Sequence, residues 1–193
     1  MATRTPREQL ISGAADLFAR RGLRATSVRE VAKYSGAPLG STYHYFPGGK
    51  SELAVAAVEH ANTFICRALR RELTAGGPVD GMREFLVMWR KIIVDSDYRA
   101  GCPVLAVAVE EPDDDDAPLL AAAAAFGDWT AILADSLREH GADEVIARQT
   151  ATLVVASIEG TVAICRAERS TTALDDIDAI LTPLLRRTIG MSD

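Results

Sequence analysis

Between Thr26 and Lys50 the chain gathers short hydroxyls, a phenol, an imidazole and an ammonium within 25 residues: Thr26, Ser27, Ser41, Thr42, Tyr43, His44 and Lys50. Groups of this kind donate hydrogen bonds to phosphate oxygens, and small side chains among them can reach base edges. The segment Pro38-Leu39-Gly40-Ser41-Thr42-Tyr43-His44-Tyr45 carries most of them. Gly40 would let the backbone lie close to a duplex. Leu39, Ser41 and Thr42 are small enough to meet base edges or a thymine methyl. Tyr43 and His44 would donate to phosphates. Lys50 stands where a long helix is predicted to begin, so a phosphate there would feel both its ammonium and the free helix amides. Thr26 and Ser27 offer a similar anchor at the start of a shorter helix. Two plainer readings compete: Lys50 as a solvated surface lysine, and Tyr43, Tyr45 and Phe46 as core aromatics. The second is expected to hold for Phe46 and partly for Tyr45, but not for Tyr43.

Other chemistry finds little support. His44, His60 and His140 are scattered, and no nucleophile elbow, phosphate loop or spaced carboxylate pair occurs, so neither an enzyme nor a cofactor is expected. The run Asp113 to Asp116 lacks the spacing of a calcium loop. Lying just ahead of Pro118, it reads as a solvated loop that favours a helix N-terminus, and no metal is expected. Cys66, Cys102 and Cys165 are odd in number and far apart, and are read as reduced, mostly buried thiols.

The net charge of -6 does not suit phosphate chemistry until it is divided by position. Residues 1–50 hold eight Lys/Arg against three acids, a net of +5, which leaves -11 for the rest. A basic head with an acidic body directs only one end of the molecule toward a polyanion.

These groups need a scaffold, and the apolar spacing supplies one. Leu10, Ile11, Ala14, Ala15, Leu17 and Phe18 mark a helix from Pro6 to about Arg21, stopped by Gly22. Ser27-Val28-Arg29-Glu30 is a capping-box signature. Gly36 breaks the short helix that follows, and Pro38 restarts helical structure, so residues 27–46 read as helix, tight turn, helix. Two helices this short need the first to complete a core. From Ser51 a long helix is predicted to about Leu73, bounded by Gly76-Gly77-Pro78. Further helices are predicted from Met82, from Leu119 to Arg138, over 143–168 and around Leu174 to Leu185, with Pro183 kinking the last. The run Cys102 to Val109 looks like a buried strand by composition, yet a lone strand has no partner, so a short buried helix is expected. Helix 143–168 is apolar on more than one face and should be covered on several sides. MATRTPREQL has charges without an apolar stretch, and nowhere do about 18 consecutive apolar residues occur, so neither a signal peptide nor a membrane span is expected and a cytoplasmic location is.

Residues 5–53 resemble the TetR family of bacterial repressors. The likeness is carried by Ala25-Thr26-Ser27-Val28-Arg29-Glu30-Val31-Ala32, Gly36, Gly40-Ser41-Thr42-Tyr43-His44-Tyr45-Phe46, Lys50 and Leu53. The loop Pro47-Gly48-Gly49-Lys50 is one residue longer than the common form. With Gly101-Cys102-Pro103-Val104 and Glu159-Gly160 the chain is similar to the branch that includes lincomycin-resistance and flavonoid-responsive repressors. The resemblance implies an all-α protein of about nine helices, with a helix-turn-helix DNA-binding domain at 1–50 and an effector-binding and dimerisation domain at 51–193. It implies that Leu39 to Thr42 face bases and that Thr26, Tyr43, His44 and Lys50 hold phosphates, in a homodimer on a palindromic operator.

Within the body, bulky side chains are the candidates for an apolar effector site: Phe64, Met88, Trp89, Phe126 and Trp129, with Val104. Glu159 sits among Val154, Val155, Ile158 and Val162, and either binds a polar group of the effector or pairs with Arg166. The last two helices carry apolar stripes large enough to suggest the homodimer contact. The expected function is therefore a ligand-released repressor, set against a ligand-independent architectural DNA binder and a helical-bundle enzyme with an accessory head.

Overall fold

The computed structural model describes residues 5–111 and 115–191, and every regular element among them is helical. They are α1 Pro6–Arg21, α2 Val28–Tyr34, α3 Leu39–Tyr45, α4 Gly49–Asp95, α5 Pro103–Ala108, α6 Ala117–Glu139, α7 Glu144–Glu168 and α8 Thr172–Thr188. The all-α expectation holds. The chain divides into two compact units, Met1–Thr63 with Cys102–Ala125, and Phe64–Gly101 with Phe126–Asp193.

In the first unit the helix ends are fixed by local chemistry. Thr5 and Glu8 form a capping box at α1, and Ser27 and Glu30 form one at α2. At the end of α2, Gly36 takes φ +67°, and the amide of Ala37 donates to the Ala32 carbonyl at 2.9 Å. That backward bond closes the helix and turns the chain toward α3, a conformation that favours glycine. The core is built from Leu10 and Phe18 of α1, Val31 of α2, Phe46 after α3 and Leu53 of α4, all 3% exposed or less. α5 packs on α1, burying Val104 and Val107. The strand-like run therefore forms the short buried helix expected: Pro103 opens it and the Cys102 sulfur accepts from the Leu105 amide at 3.5 Å.

The Gly76-Gly77-Pro78 stretch bounds the long helix as expected: within α4, Gly77 leaves helical geometry at φ +63°, and two helical runs meet there at a kink. Pro78 then serves as the start of the next helical run, where its missing N–H costs nothing. Counted across that kink, the described residues contain nine helical stretches.

In the second unit α7 and α8 pack side by side, and Arg90 and Arg83 of α4 pair with Asp175 (2.5 Å) and Asp178 (3.4 Å) of α8. Asp143 caps α7 by accepting from the amides of Val145 (2.9 Å) and Ile146 (3.2 Å). The expectation that 143–168 is covered on several sides needs correction. Val154, Ile158, Val162 and Cys165 are buried, but Leu153 is 52% and Ile164 47% exposed, because one chain supplies neighbours to only one side of α7. α6 and α7 are each long and apolar enough, by length and composition, to cross a membrane, although no unbroken apolar run of that length occurs.

Candidate nucleic-acid interface and apolar cavity

The helix-turn-helix is held by its own ends. The Ser27 hydroxyl accepts from the Glu30 amide at 3.2 Å, while the Glu30 carboxylate accepts from the Ser27 amide at 2.9 Å and its hydroxyl at 2.8 Å. These bonds, the backbone one foremost, hold the Glu30 carboxyl below the usual carboxylate range. Phe46 locks the far end of α3 into the core, with the Arg7 guanidinium 5.3 Å from its ring centre.

On this frame α3 turns Gly40, Tyr43 and His44 outward. Tyr43 is 53% exposed, whereas Tyr45 is half-buried against the core and meets His44 edge-on at 5.3 Å. A Cβ on Gly40 would meet no atom of the protein within 4 Å. Nothing inside the fold therefore demands glycine there. Leu39 and Ser41 are partly exposed.

Thr26 and Thr42 sit differently from the sequence expectation, since they are 2% and 0% exposed. The Thr26 hydroxyl donates to the Gly22 carbonyl at 2.8 Å, bracing the turn between α1 and α2. Thr42 lies on the inner side of α3 with its hydroxyl buried and without a hydrogen-bond partner. As folded, neither side chain offers a surface to a duplex. Their type and spacing carried no sign of this, because a threonine suits the inside and the outside of a short helix equally.

Lys50 is half-buried, and its ammonium donates to the Arg24 carbonyl at 3.4 Å. At the same helix start the Gly48 amide donates to the Glu52 carboxylate at 2.8 Å, so the anchor point is occupied by groups of the chain itself. Beside it, Ser51 donates to Asp115, which also accepts from the Ala117 amide at 2.9 Å at the start of α6. Those bonds, the Ser51 one foremost, hold the Asp115 carboxyl low. The acidic run thus serves a helix N-terminus through Asp115, while Asp113 and Asp114 lie outside the described residues. No cluster of His, Cys, Asp or Glu able to hold a metal occurs among the described residues. Sequence reasoning missed one pair at the head: Tyr34 donates to Asp16, which also receives the Arg20 guanidinium at 2.9 Å. The bond to Asp16 pushes the Tyr34 phenol upward.

The second unit contains an apolar cavity lined by residues of α4, α6 and α7, among them Ile65, Phe85, Trp89, Trp129, Ile158 and Glu159. In this conformation it is small, with room for little more than a water-sized occupant. Trp89, Trp129 and Glu159, named from sequence, come together here. Phe64 is 51% exposed, Met88 and Phe126 lie outside the lining, and Val104 is fully buried in the other unit. Phe126 instead backs Trp129 edge-on at 5.2 Å. The two indoles differ: Trp129 hydrogen-bonds the buried Cys66 thiol, whereas the Trp89 N–H is buried without a partner. Burial is what pushes the Cys66 thiol up, and the three cysteines are free and buried as expected.

Residues 10–57 match the family described as bacterial regulatory proteins, tetR family. Residues 78–180 match the transcriptional regulator LmrA/YxaF-like C-terminal domain. An uncharacterized HTH-type transcriptional regulator of Mycobacterium tuberculosis is 36% identical over 185 residues, covering 93% of this chain and 94% of that protein. The HTH-type transcriptional regulator LmrA of Bacillus subtilis is 31% identical over 182 residues, covering 94% and 97%. In fold the chain is similar to a TetR transcriptional regulator from Legionella pneumophila, with a TM-score of 0.84 at 18% identity over 95% of this chain and 99% of that one. The matched families and relatives are transcriptional regulators, not enzymes.

Proposed function

The chain belongs to the TetR family of transcriptional regulators, and from that premise we propose that it is a ligand-released repressor that binds a palindromic operator as a homodimer in the cytoplasm. Residues 1–50 carry DNA binding, and 51–193 carry effector binding and dimerisation. The observation behind this reading is the outward face of α3, where Gly40, Tyr43 and His44 stand exposed on a capped helix-turn-helix within a segment of net charge +5. Gly40, Leu39 and Ser41 meet the bases, and Tyr43, His44 and Ser27 hold phosphates. Lys50 joins them by releasing the Arg24 carbonyl. Thr26 and Thr42 support that surface from beneath.

The exposed apolar residues Leu153 and Ile164 of α7 and Ile180 of α8 support a two-fold contact through the last two helices. Two heads related by that axis read two half-sites. An apolar effector entering the cavity beside Trp89, Trp129 and Glu159 stabilises whichever arrangement gives it room, and DNA is released when that arrangement has the wrong head spacing.

Gel-shift titration tests the DNA-binding half. Gly40→Ala improves the helix by about 1 kcal/mol in propensity and meets no atom of the fold, so it should raise thermal stability while weakening operator binding. Tyr43→Phe removes a neutral donor to phosphate and should weaken binding to all sequences alike while leaving the slope against log salt unchanged, because no counterion is released for it. Binding insensitive to salt and to both substitutions would rule the assignment out. For the sensing half, the test is a thermal-shift screen of apolar compounds followed by DNA release. A screen with no stabiliser favours a ligand-independent architectural role.

A further inference from the structure

We infer that Glu110, just past the end of α5, is a positioning residue for DNA reading: its carboxylate sets the α1–α2 turn, and through it the angle at which α2 and α3 meet a duplex. The inference rests on the DNA-binding reading above and adds to it a residue that lies outside 1–50 and acts without touching DNA. Three observations converge on it. The Glu110 carboxylate accepts from the Arg24 amide at 2.6 Å, a charge-assisted bond between residues 86 apart in the sequence. Gly22 leaves the carboxylate its place, since a Cβ there would lie 2.1 Å from Glu110 Oε1. The base of the bond is firm: Val104 and Val107 are buried, α5 packs on α1, and the Glu110 amide donates back to the Val107 carbonyl at 3.4 Å. The compact unit that contains the head accordingly includes Cys102–Ala125 as well.

The turn that receives this bond decides where α2 begins. Only residues 22–26 separate the end of α1 from the Ser27 cap. The Thr26 hydroxyl donates to the Gly22 carbonyl at 2.8 Å and the Thr26 amide to the Leu23 carbonyl at 3.1 Å, which shapes the turn from within. Two bonds at the Arg24 backbone tie it to other elements: its amide to Glu110, and its carbonyl to the Lys50 ammonium at 3.4 Å. Lys50 gives up its bond on taking a phosphate. Of the two ties, Glu110 is therefore the one that holds the turn while the protein is on DNA. A residue that fixes orientation without meeting a phosphate releases no counterion, so its loss acts on base reading and not on the salt-dependent part of affinity.

Gel-shift selection from a random 20-bp pool with the full-length wild type supplies a specific duplex, and the unselected pool is the non-specific reference. In Glu110→Ala the ratio of the two affinities should fall about tenfold, the scale of one mismatched base pair, with the slope against log salt unchanged. Glu110→Gln removes the charge but keeps a carbonyl that can accept from the Arg24 amide, so it should hold the ratio within about threefold of the wild type. Hydrogen exchange in Glu110→Ala should quicken at 22–27 while the core of α1 keeps its protection, which separates a loosened turn from a damaged fold. An unchanged ratio in Glu110→Ala overturns the inference. So does an equal loss in Glu110→Gln, which would assign the effect to charge, and so does protection lost throughout α1, which would make Glu110 a general support of the fold. If selection yields no specific duplex, the DNA-reading premise fails and the inference with it.

Discussion

The helix-turn-helix and the cavity-bearing unit are both all-helical, but they are specified by opposite means. α2 and α3 have seven residues each, too short to persist alone; the Ser27–Glu30 capping box starts α2, while α3 has no side-chain cap and runs from Pro38 to the buried Phe46. α6 and α7 have 23 and 25 residues, and their role is decided by which flank of each helix meets a neighbour. Caps are local and leave a signature. A cavity is an absence of neighbours, and the residues around it are the types that also fill cores.

The largest test of that contrast is Phe46→Ala. Phe46 is 1% exposed in the head core, and its loss should cost about 3–5 kcal/mol. Hydrogen exchange should show protection lost in α1 to α3 with α7 and α8 spared. A uniform loss across both units would break the comparison. Leu153→Asp probes the other side. Leu153 is 52% exposed in the single chain, so the substitution should leave each folded chain nearly unaffected. If α7 forms the homodimer contact, it should weaken association on the order of 100-fold by burying a carboxylate, read as a halved mass in light scattering at micromolar concentration. An unchanged mass would remove α7 from the interface.

The same contrast explains what could be read beforehand. The extents of α1 to α3, both ends of α2 and the inward place of Phe46 follow from spacing and caps, and the short helix α5 follows from the lack of any partner strand. The break between the two helical runs of α4 was legible as well, because Gly77 takes a positive φ and Pro78 suits the start of a helix. Sidedness was the harder part. Phe64 and Met88 immediately precede Ile65 and Trp89, and one residue along a helix turns a side chain by about 100°. Naming the bulkiest residues therefore reached Trp89 and Trp129 but passed over Ile65 and Phe85, which line the cavity too. Thr26 and Thr42 show the same limit in miniature: spacing located them in the head, and only packing revealed that they face inward.

The smallest expected effects belong to the α2 cap and bear on whether it is as local as it looks. Ser27→Ala should cost about 1 kcal/mol, seen as a shift in the denaturation midpoint with an unchanged slope. Glu30→Gln keeps a side chain able to cap but removes the charge. The Glu30 carboxyl lies below its ordinary value of 4.5 in the folded chain, so the folded state binds fewer protons there than the unfolded state. Its contribution is fully present above pH 4.5 and is lost as the pH falls through the lowered value. The wild type should accordingly be more stable than Glu30→Gln at neutral pH, and the gap should close as acid is added below 4.5. A gap that stays constant across that range would mean that the cap depends on shape alone and that the charge of Glu30 contributes nothing to it.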